Sequence, residues 1–139
     1  MGPLLHNQVC YALYSTSSVV TKAYSGLLKP LKLTYPQFVV MMALWEKDHV
    51  SITDLAQVVG LSKSTMTPLV KRLELLKYIT KTHEAGNDRQ KCIVLTKLGS
   101  THAAAAEEAA KQALCATGLN SDEAEQLIAL SNKIKHNLE

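Results

Sequence analysis

Three thiols are the side chains of this chain best suited to covalent chemistry, and their spacing limits what they can do. Cys10, Cys92 and Cys115 are odd in number and form no Cys-x-x-Cys pair, so neither a disulfide-stapled secreted scaffold nor a zinc knuckle is expected. A lone cysteine on a helix is ordinarily a small buried residue, and that reading stands beside a reactive one for Cys10. His6 precedes Cys10 by four residues and on one continuous helix would share its face, but zinc wants four ligands and no second pair has the spacing. His83, His102 and His136 read as surface residues. Glu107-Glu108 and Asp122-Glu123-Glu125 read as helix-face and first-turn charges rather than catalytic carboxylates. There is no glycine-rich phosphate loop or nucleophile elbow, so no cofactor, no metal and no enzyme are expected.

A second set of residues suits non-covalent recognition. In Ser51-Ile52-Thr53-Asp54-Leu55-Ala56-Gln57-Val58-Val59, Thr53 is expected to cap a short helix with Ile52, Leu55, Val58 and Val59 as its apolar face. Gly60 ends that helix as a residue free to take positive φ. Ser62 or Thr65 caps the next, whose Met66, Leu69, Val70, Leu73 and Leu76 repeat at helical spacing. What faces outward is hydroxylic and basic: Lys63, Ser64, Thr65, Thr67, Lys71 and Arg72. Such a helix fits the recognition helix of a helix-turn-helix, which enters the major groove of double-stranded DNA. Pro68 implies either a kink or a helix that starts at Thr65.

Beyond Tyr78, Ile79 to His83 alternates apolar with polar, and Lys91 to Leu95 returns as a strand. Glu84-Ala85-Gly86-Asn87-Asp88-Arg89-Gln90 supplies the turn, with Arg89 near its tip placed to reach a minor groove or a phosphate. Residues 51–95 thus predict a winged helix-turn-helix, and Cys92 reads as packing of the wing strand.

The elements that must hold this head are helical. Residues 5–29 can form one long helix, broken from the next by Pro30, and Thr34-Tyr35-Pro36-Gln37 reads as a capping box. Thr96 caps a helix through the alanine-rich run to about Cys115, ended by Gly118, and Asn120 or Ser121 caps a last helix to Leu138. The fold class expected is mainly α with a small β-wing, one domain over residues 1–139. Helices in 5–29 and 96–138 carry more apolar surface than one subunit easily covers, so a homodimer is expected. It would set two recognition helices about 34 Å apart on a pseudo-palindromic operator. Net charge is +3 and pI about 8.7; the cations Lys63, Lys71, Arg72, Lys77, Lys81, Arg89 and Lys91 gather around the head. No apolar run reaches membrane-spanning length and no signal sequence is evident, so a cytoplasmic location is expected.

Over essentially its whole length this order of elements resembles the MarR family of dimeric winged-helix repressors. Asn7-Gln8-Val9-Cys10-Tyr11-Ala12-Leu13-Tyr14-Ser15-Thr16-Ser17, Thr21-Lys22-Ala23-Tyr24 and Leu33-Thr34-Tyr35-Pro36-Gln37 are similar to its organic-hydroperoxide-sensing branch, the OhrR type. Leu61-Ser62-Lys63-Ser64-Thr65-Met66-Thr67-Pro68-Leu69 and Lys71-Arg72-Leu73-Glu74 are similar to that branch's recognition helix, proline included.

The resemblance implies that Cys10 is a peroxide sensor whose thiolate is hydrogen-bonded by Tyr14, Tyr24 and Tyr35 at the dimer interface. It also implies a resolving disulfide between Cys10 and Cys115 of the partner subunit, releasing DNA, with an organic hydroperoxide as inducer. Phe38, Met41 and Met42 could form an apolar pocket for that peroxide. One departure is Asn87, where the family often has the Asp of an Asp-x-Arg motif; Asp88 could substitute. Two other functions are compatible with the residues: a repressor released by a small phenolic ligand, and a thiol peroxidase using Cys10 and Cys115.

Overall fold

Short side-chain caps set most of the helix boundaries. In the computed structural model, Thr34 and Gln37 form the expected reciprocal capping box. Asn120 and Glu123 form a second one, and Ser62 accepts the Thr65 N–H at 3.2 Å. The structure describes residues 1–84 and 86–139, and the side chains of Glu84, Asn87 and Asp88 lie outside that description. A 3-10 turn over Leu5–Asn7 precedes α1 (Val9–Leu28), and a second, Lys29–Leu31, contains Pro30. Then come α2 (Tyr35–Glu46), β1 (Val50–Ser51), α3 (Ile52–Val59) and α4 (Lys63–Leu75). The wing is β2 (Ile79–Glu84) and β3 (Asn87–Leu95), followed by α5 (Lys97–Thr101), α6 (Ala103–Ala116) and α7 (Ser121–Leu138).

Three boundaries differ from the sequence reading, each for a physical reason. The first helix begins at Val9 rather than Leu5, because Gln8 is extended and its amide donates to the Leu4 carbonyl at 3.1 Å. Leu4 and Leu5 are exposed, so no packing holds them in the helix. His6 consequently lies in the 3-10 turn, outside the helix of Cys10. The cap of α3 is Ser51, which accepts the Asp54 N–H at 3.1 Å, not Thr53. Pairing of Val50 with Ile93 and Ser51 with Cys92 keeps the chain extended up to Ser51, and the helix can start only after it.

Of the two starts left open, helix α4 takes the one that Ser62 caps: it begins at Lys63 and runs past Pro68. Pro68 has no N–H for the Ser64 carbonyl; both residues are exposed, which leaves that carbonyl open to water. Finally, the helix launched by Thr96 divides at His102, whose ring meets the edge of Tyr78 at 4.7 Å. Gly60, at φ 73°, ends α3 as expected, but Val58, assigned to the apolar face, is 72% exposed.

The sheet is antiparallel in the order β1-β3-β2. It rests on one continuous core that includes Leu28, Phe38, Met41 and Leu44 from the first two helices, Leu55, Met66, Val70 and Leu73 from the head, and Ile79 and Ile93 from the wing. Each such fully buried side chain contributes roughly 1.5–3 kcal/mol. Long-range hydrogen bonds fasten head to flanks: the Tyr78 hydroxyl donates to the Leu31 carbonyl and the Leu95 N–H to Asp48 Oδ1, each at 2.8 Å, while flank joins flank where the Trp45 indole donates to the Gly99 carbonyl at 3.0 Å. Helix α7 buries none of its residues.

Candidate DNA interface and redox residues

Helix α4 presents two faces. Met66, Val70 and Leu73 are buried in the core, while Lys63, Ser64, Thr65, Thr67, Pro68, Lys71 and Arg72 are exposed. At 100° per residue, Ser64, Pro68, Lys71, Arg72 and Leu75 point most directly away from the core. Three of the expected hydroxyl contacts are partly engaged already. Ser64 Oγ and Thr65 Oγ1 lie 3.0 and 2.8 Å from Ser62 Oγ, and Thr67 Oγ1 donates to the Lys63 carbonyl at 2.9 Å. That leaves Lys71 and Arg72 as the freer groups of the helix.

Between the start of α4 and the wing lies a groove of about 250 Å³ lined by Thr53, Lys63, Lys81, Arg89 and Lys91, with no carboxylate among the described residues of its wall. Four cations around one concavity suit a phosphate backbone. Lys81 and Lys91 were visible in the sequence only as members of a charge cluster; their convergence with Lys63 follows from β2–β3 pairing, which sets His83 opposite Lys91. Arg89 sits within β3 rather than at a loop tip. The question of whether Asp88 replaces the acid missing at Asn87 concerns side chains outside the described residues.

The redox candidates lie elsewhere. Cys10 is exposed in the first turn of α1 and Cys115 is exposed in the last turn of α6, while Cys92 is half-buried in β3. Tyr14 follows Cys10 by one turn and is 76% exposed. Tyr24 and Tyr35 pack together, with ring centroids 5.1 Å apart, and both lie against Phe38. Burial first, and the neighbouring Tyr35 second, push the Tyr24 phenol above its ordinary 10.0, so it is a neutral hydrogen-bond donor at physiological pH. Cys10 and Tyr24 share α1 at a separation of fourteen residues, about 21 Å along the axis at 1.5 Å per residue. They cannot meet within one subunit.

An apolar groove of about 360 Å³ runs between α2 and α6, lined by Phe38, Met42, Trp45, Ala103, Ala106, Glu107 and Ala110. Met41, expected in such a pocket, is fully buried and does not line it. Among the described residues no cluster of three or more His, Cys, Asp or Glu could hold a metal, and no helix is long and apolar enough to cross a membrane.

The model of the family described as transcriptional regulator SarA/Rot matches residues 22–105. The regulator SarZ of Staphylococcus haemolyticus is 34% identical over 132 residues, 95% of this chain and 88% of its own length. The organic hydroperoxide resistance transcriptional regulator of Bacillus subtilis is 35% identical over 96 residues, 69% of this chain and 65% of that protein. TtmR of Methylorubrum extorquens is 36% identical over 95 residues, 68% of this chain and 49% of its own. The chain therefore matches about half of the length of one of these last two relatives and just under two thirds of the other. Among solved structures, reduced AbfR bound to DNA superposes with a TM-score of 0.79 at 30% identity, covering 97% of this chain and 95% of that one; AbfR is a protein of Staphylococcus epidermidis. The disulfide-formed AbfR superposes with a TM-score of 0.68 at 28% identity, covering 96% and 89%. With the family model spanning the helix-turn-helix and wing, this chain belongs to the SarA/Rot family of transcriptional regulators, of the MarR/SarA winged-helix type.

Proposed function

We propose that this protein is a dimeric, cytoplasmic repressor that binds a pseudo-palindromic operator and releases it when Cys10 is oxidised by an organic hydroperoxide. The observation that carries the reading is the division of labour in the fold: a cationic head, and two exposed thiols on the helices that flank it. Exposed Leu13, Val19, Leu114, Leu127, Ile128, Leu130 and Leu138 line α1, α6 and α7. An eighteen-residue helix that buries nothing needs a second surface to hold it, and a second copy supplies one. In that dimer Tyr24 and Tyr35 of one subunit can approach Cys10 of the partner subunit, which the length of α1 forbids within a subunit.

The chemistry balances with the peroxide as oxidant. The Cys10 thiolate attacks the outer peroxide oxygen, an S–O bond forms as the O–O bond breaks, and the alcohol leaves after protonation. Cys115 of the partner subunit then attacks the sulfenic sulfur, expelling water and forming the disulfide. Phenol donors stabilise the thiolate, and the apolar groove beside Phe38 and Met42 favours an organic peroxide. Bridging requires Cα atoms within about 7 Å; if the reduced dimer holds them farther apart, oxidation moves α1 and α6 and with them the spacing of the two recognition helices. The lower TM-score with the disulfide form of AbfR than with its reduced, DNA-bound form supports a change of this kind.

The test is an operator titration of wild type and Cys10→Ser with and without cumene hydroperoxide, alongside non-reducing gels. Wild type loses affinity and runs as a disulfide-linked dimer, while Cys10→Ser keeps binding. A Cys10→Ser protein that still responds to peroxide rules out the sensor role, and a wild type that responds without a dimer band removes Cys115.

A further inference from the structure

Residues 1–45 contain no aspartate or glutamate, and their three cations, Lys22, Lys29 and Lys32, account for the whole formal charge of +3. The other twelve Lys and Arg are matched by twelve Asp and Glu, all beyond residue 45. The fold brings the three lysines to one groove of about 800 Å³ between α1 and the start of α2. Ser18, Lys22 and Ser25 recur along one face of α1, as their spacing requires, and Lys29, its C-cap, continues the series in helical conformation, so hydroxyls and ammonium groups alternate along one wall. Leu33, Thr34 and Tyr35 supply the other.

Among the described residues no carboxylate lines this groove. Among the described residues the ion pairs lie elsewhere, at His49–Asp48 and Lys111–Glu107, so each lysine of the groove faces water without a counter-charge. Lys32 adds a second observation. It stands at φ 56°, ψ 30°, a left-handed conformation that suits glycine better than a long side chain, yet it carries a charge into the groove.

We infer that this groove binds a small polyanion of the phosphate type, such as a diphosphate-bearing metabolite. Three ammonium groups suit a ligand with at least two negative charges, lysine is a point-charge partner for phosphate, and serine hydroxyls donate to its oxygens. The volume falls within the roughly 300–1,000 Å³ of small-molecule sites. Operator phosphates are the less fitting occupant, because this groove shares no residue with the cationic groove of the head. Tyr35 is a wall residue that the groove shares with the proposed sensor site, but the lysines and serines that carry the inference take no part in the peroxide chemistry.

Calorimetric titration of the full-length reduced protein with pyrophosphate, in phosphate-free buffer of low ionic strength, tests it. Saturable binding of one pyrophosphate per subunit is expected, weakened about tenfold or more, a loss of at least about 1.4 kcal/mol, in Lys22→Gln/Lys29→Gln/Lys32→Gln. Lys97→Gln/Lys133→Gln/Lys135→Gln, which removes the same charge elsewhere, should bind like wild type, as should Cys10→Ser. Lys32→Gly should weaken binding while keeping or raising the melting temperature, which separates lost charge from lost fold. Absence of saturable binding, equal loss in both triple variants, or an unaffected groove variant overturns the proposal. So does a groove variant that keeps pyrophosphate but loses the salt dependence of operator binding, which would assign these lysines to DNA.

Discussion

Replacing Gly99 by alanine should damage the joint between head and flanking helices more than any other single methyl group added to a glycine of this chain. A Cβ built there would lie 2.1 Å from the Tyr78 carbonyl oxygen, 2.9 Å from its carbon and 3.2 Å from its Cα. Ordinary contact begins near 3.4 Å, so two backbone segments must part by more than an ångström. Neither is free to move. The Tyr78 carbonyl accepts the Thr96 N–H at 3.0 Å, Gly99 N–H donates to Thr96 Oγ1 at 3.0 Å, and the Gly99 carbonyl holds the Trp45 indole. Overpacking of this kind costs about 1–3 kcal/mol, and each hydrogen bond broken adds about 0.5–1.5 kcal/mol. Alanine's better helix propensity returns about 1 kcal/mol. The net is about 3 kcal/mol, or roughly 10 °C of melting temperature for a chain of this length. Differential scanning calorimetry reads it directly. Gly26→Ala is the internal control, since nothing lies within 4 Å of the added Cβ; it should stabilise by roughly 0.5–1 kcal/mol. A Gly99→Ala protein melting within about 2 °C of wild type would show the reasoning about this joint to be wrong.

Three further outcomes follow from the described geometry. Ser51→Ala should cost about 1 kcal/mol as the loss of a true cap, whereas Thr53→Ala should stay within about 0.5 kcal/mol; urea titration of the two decides between them, and a reversed order refutes the assignment. Lys63→Ala should weaken operator binding on all sequences and lower the salt slope by about 0.9 per head, near two per dimer; an unchanged slope removes Lys63 from the phosphate contacts. Burial raises the Tyr24 phenol, so its neutral form is favoured in the folded state and its contribution is complete below pH 10.0, then lost as pH rises through the higher folded value. Melting temperature should fall on the alkaline side, and Tyr24→Phe should flatten part of that fall; Tyr78, also raised by burial, accounts for a further part. Identical alkaline profiles for wild type and Tyr24→Phe would contradict this.

Features that depend on neighbouring residues were legible along the chain. The capping pairs Thr34 with Gln37 and Asn120 with Glu123, the stop at Gly60, the apolar stripe of α4 and the β2–β3 wing all depend on contacts within a few positions. Their chemistry is therefore complete on the page. The Cys-Tyr motif of α1 and the recognition-helix motif also placed the chain in its winged-helix class. Other features depend on partners distant in sequence and emerge only from the fold. Ser51 rather than Thr53 caps α3 because Ile93 and Cys92 hold β1 extended. The helix after Thr96 breaks at His102 where Tyr78 meets it, and Met41 turns to the core, which leaves Met42 beside the apolar groove. Gly99 is indispensable only because the Tyr78 backbone happens to pass 2.1 Å from where a side chain would begin. Lys22, Lys29 and Lys32 read along the chain as three scattered charges; the turn through Pro30 folds them onto one groove, and electrostatics depends on distance in space rather than along the chain.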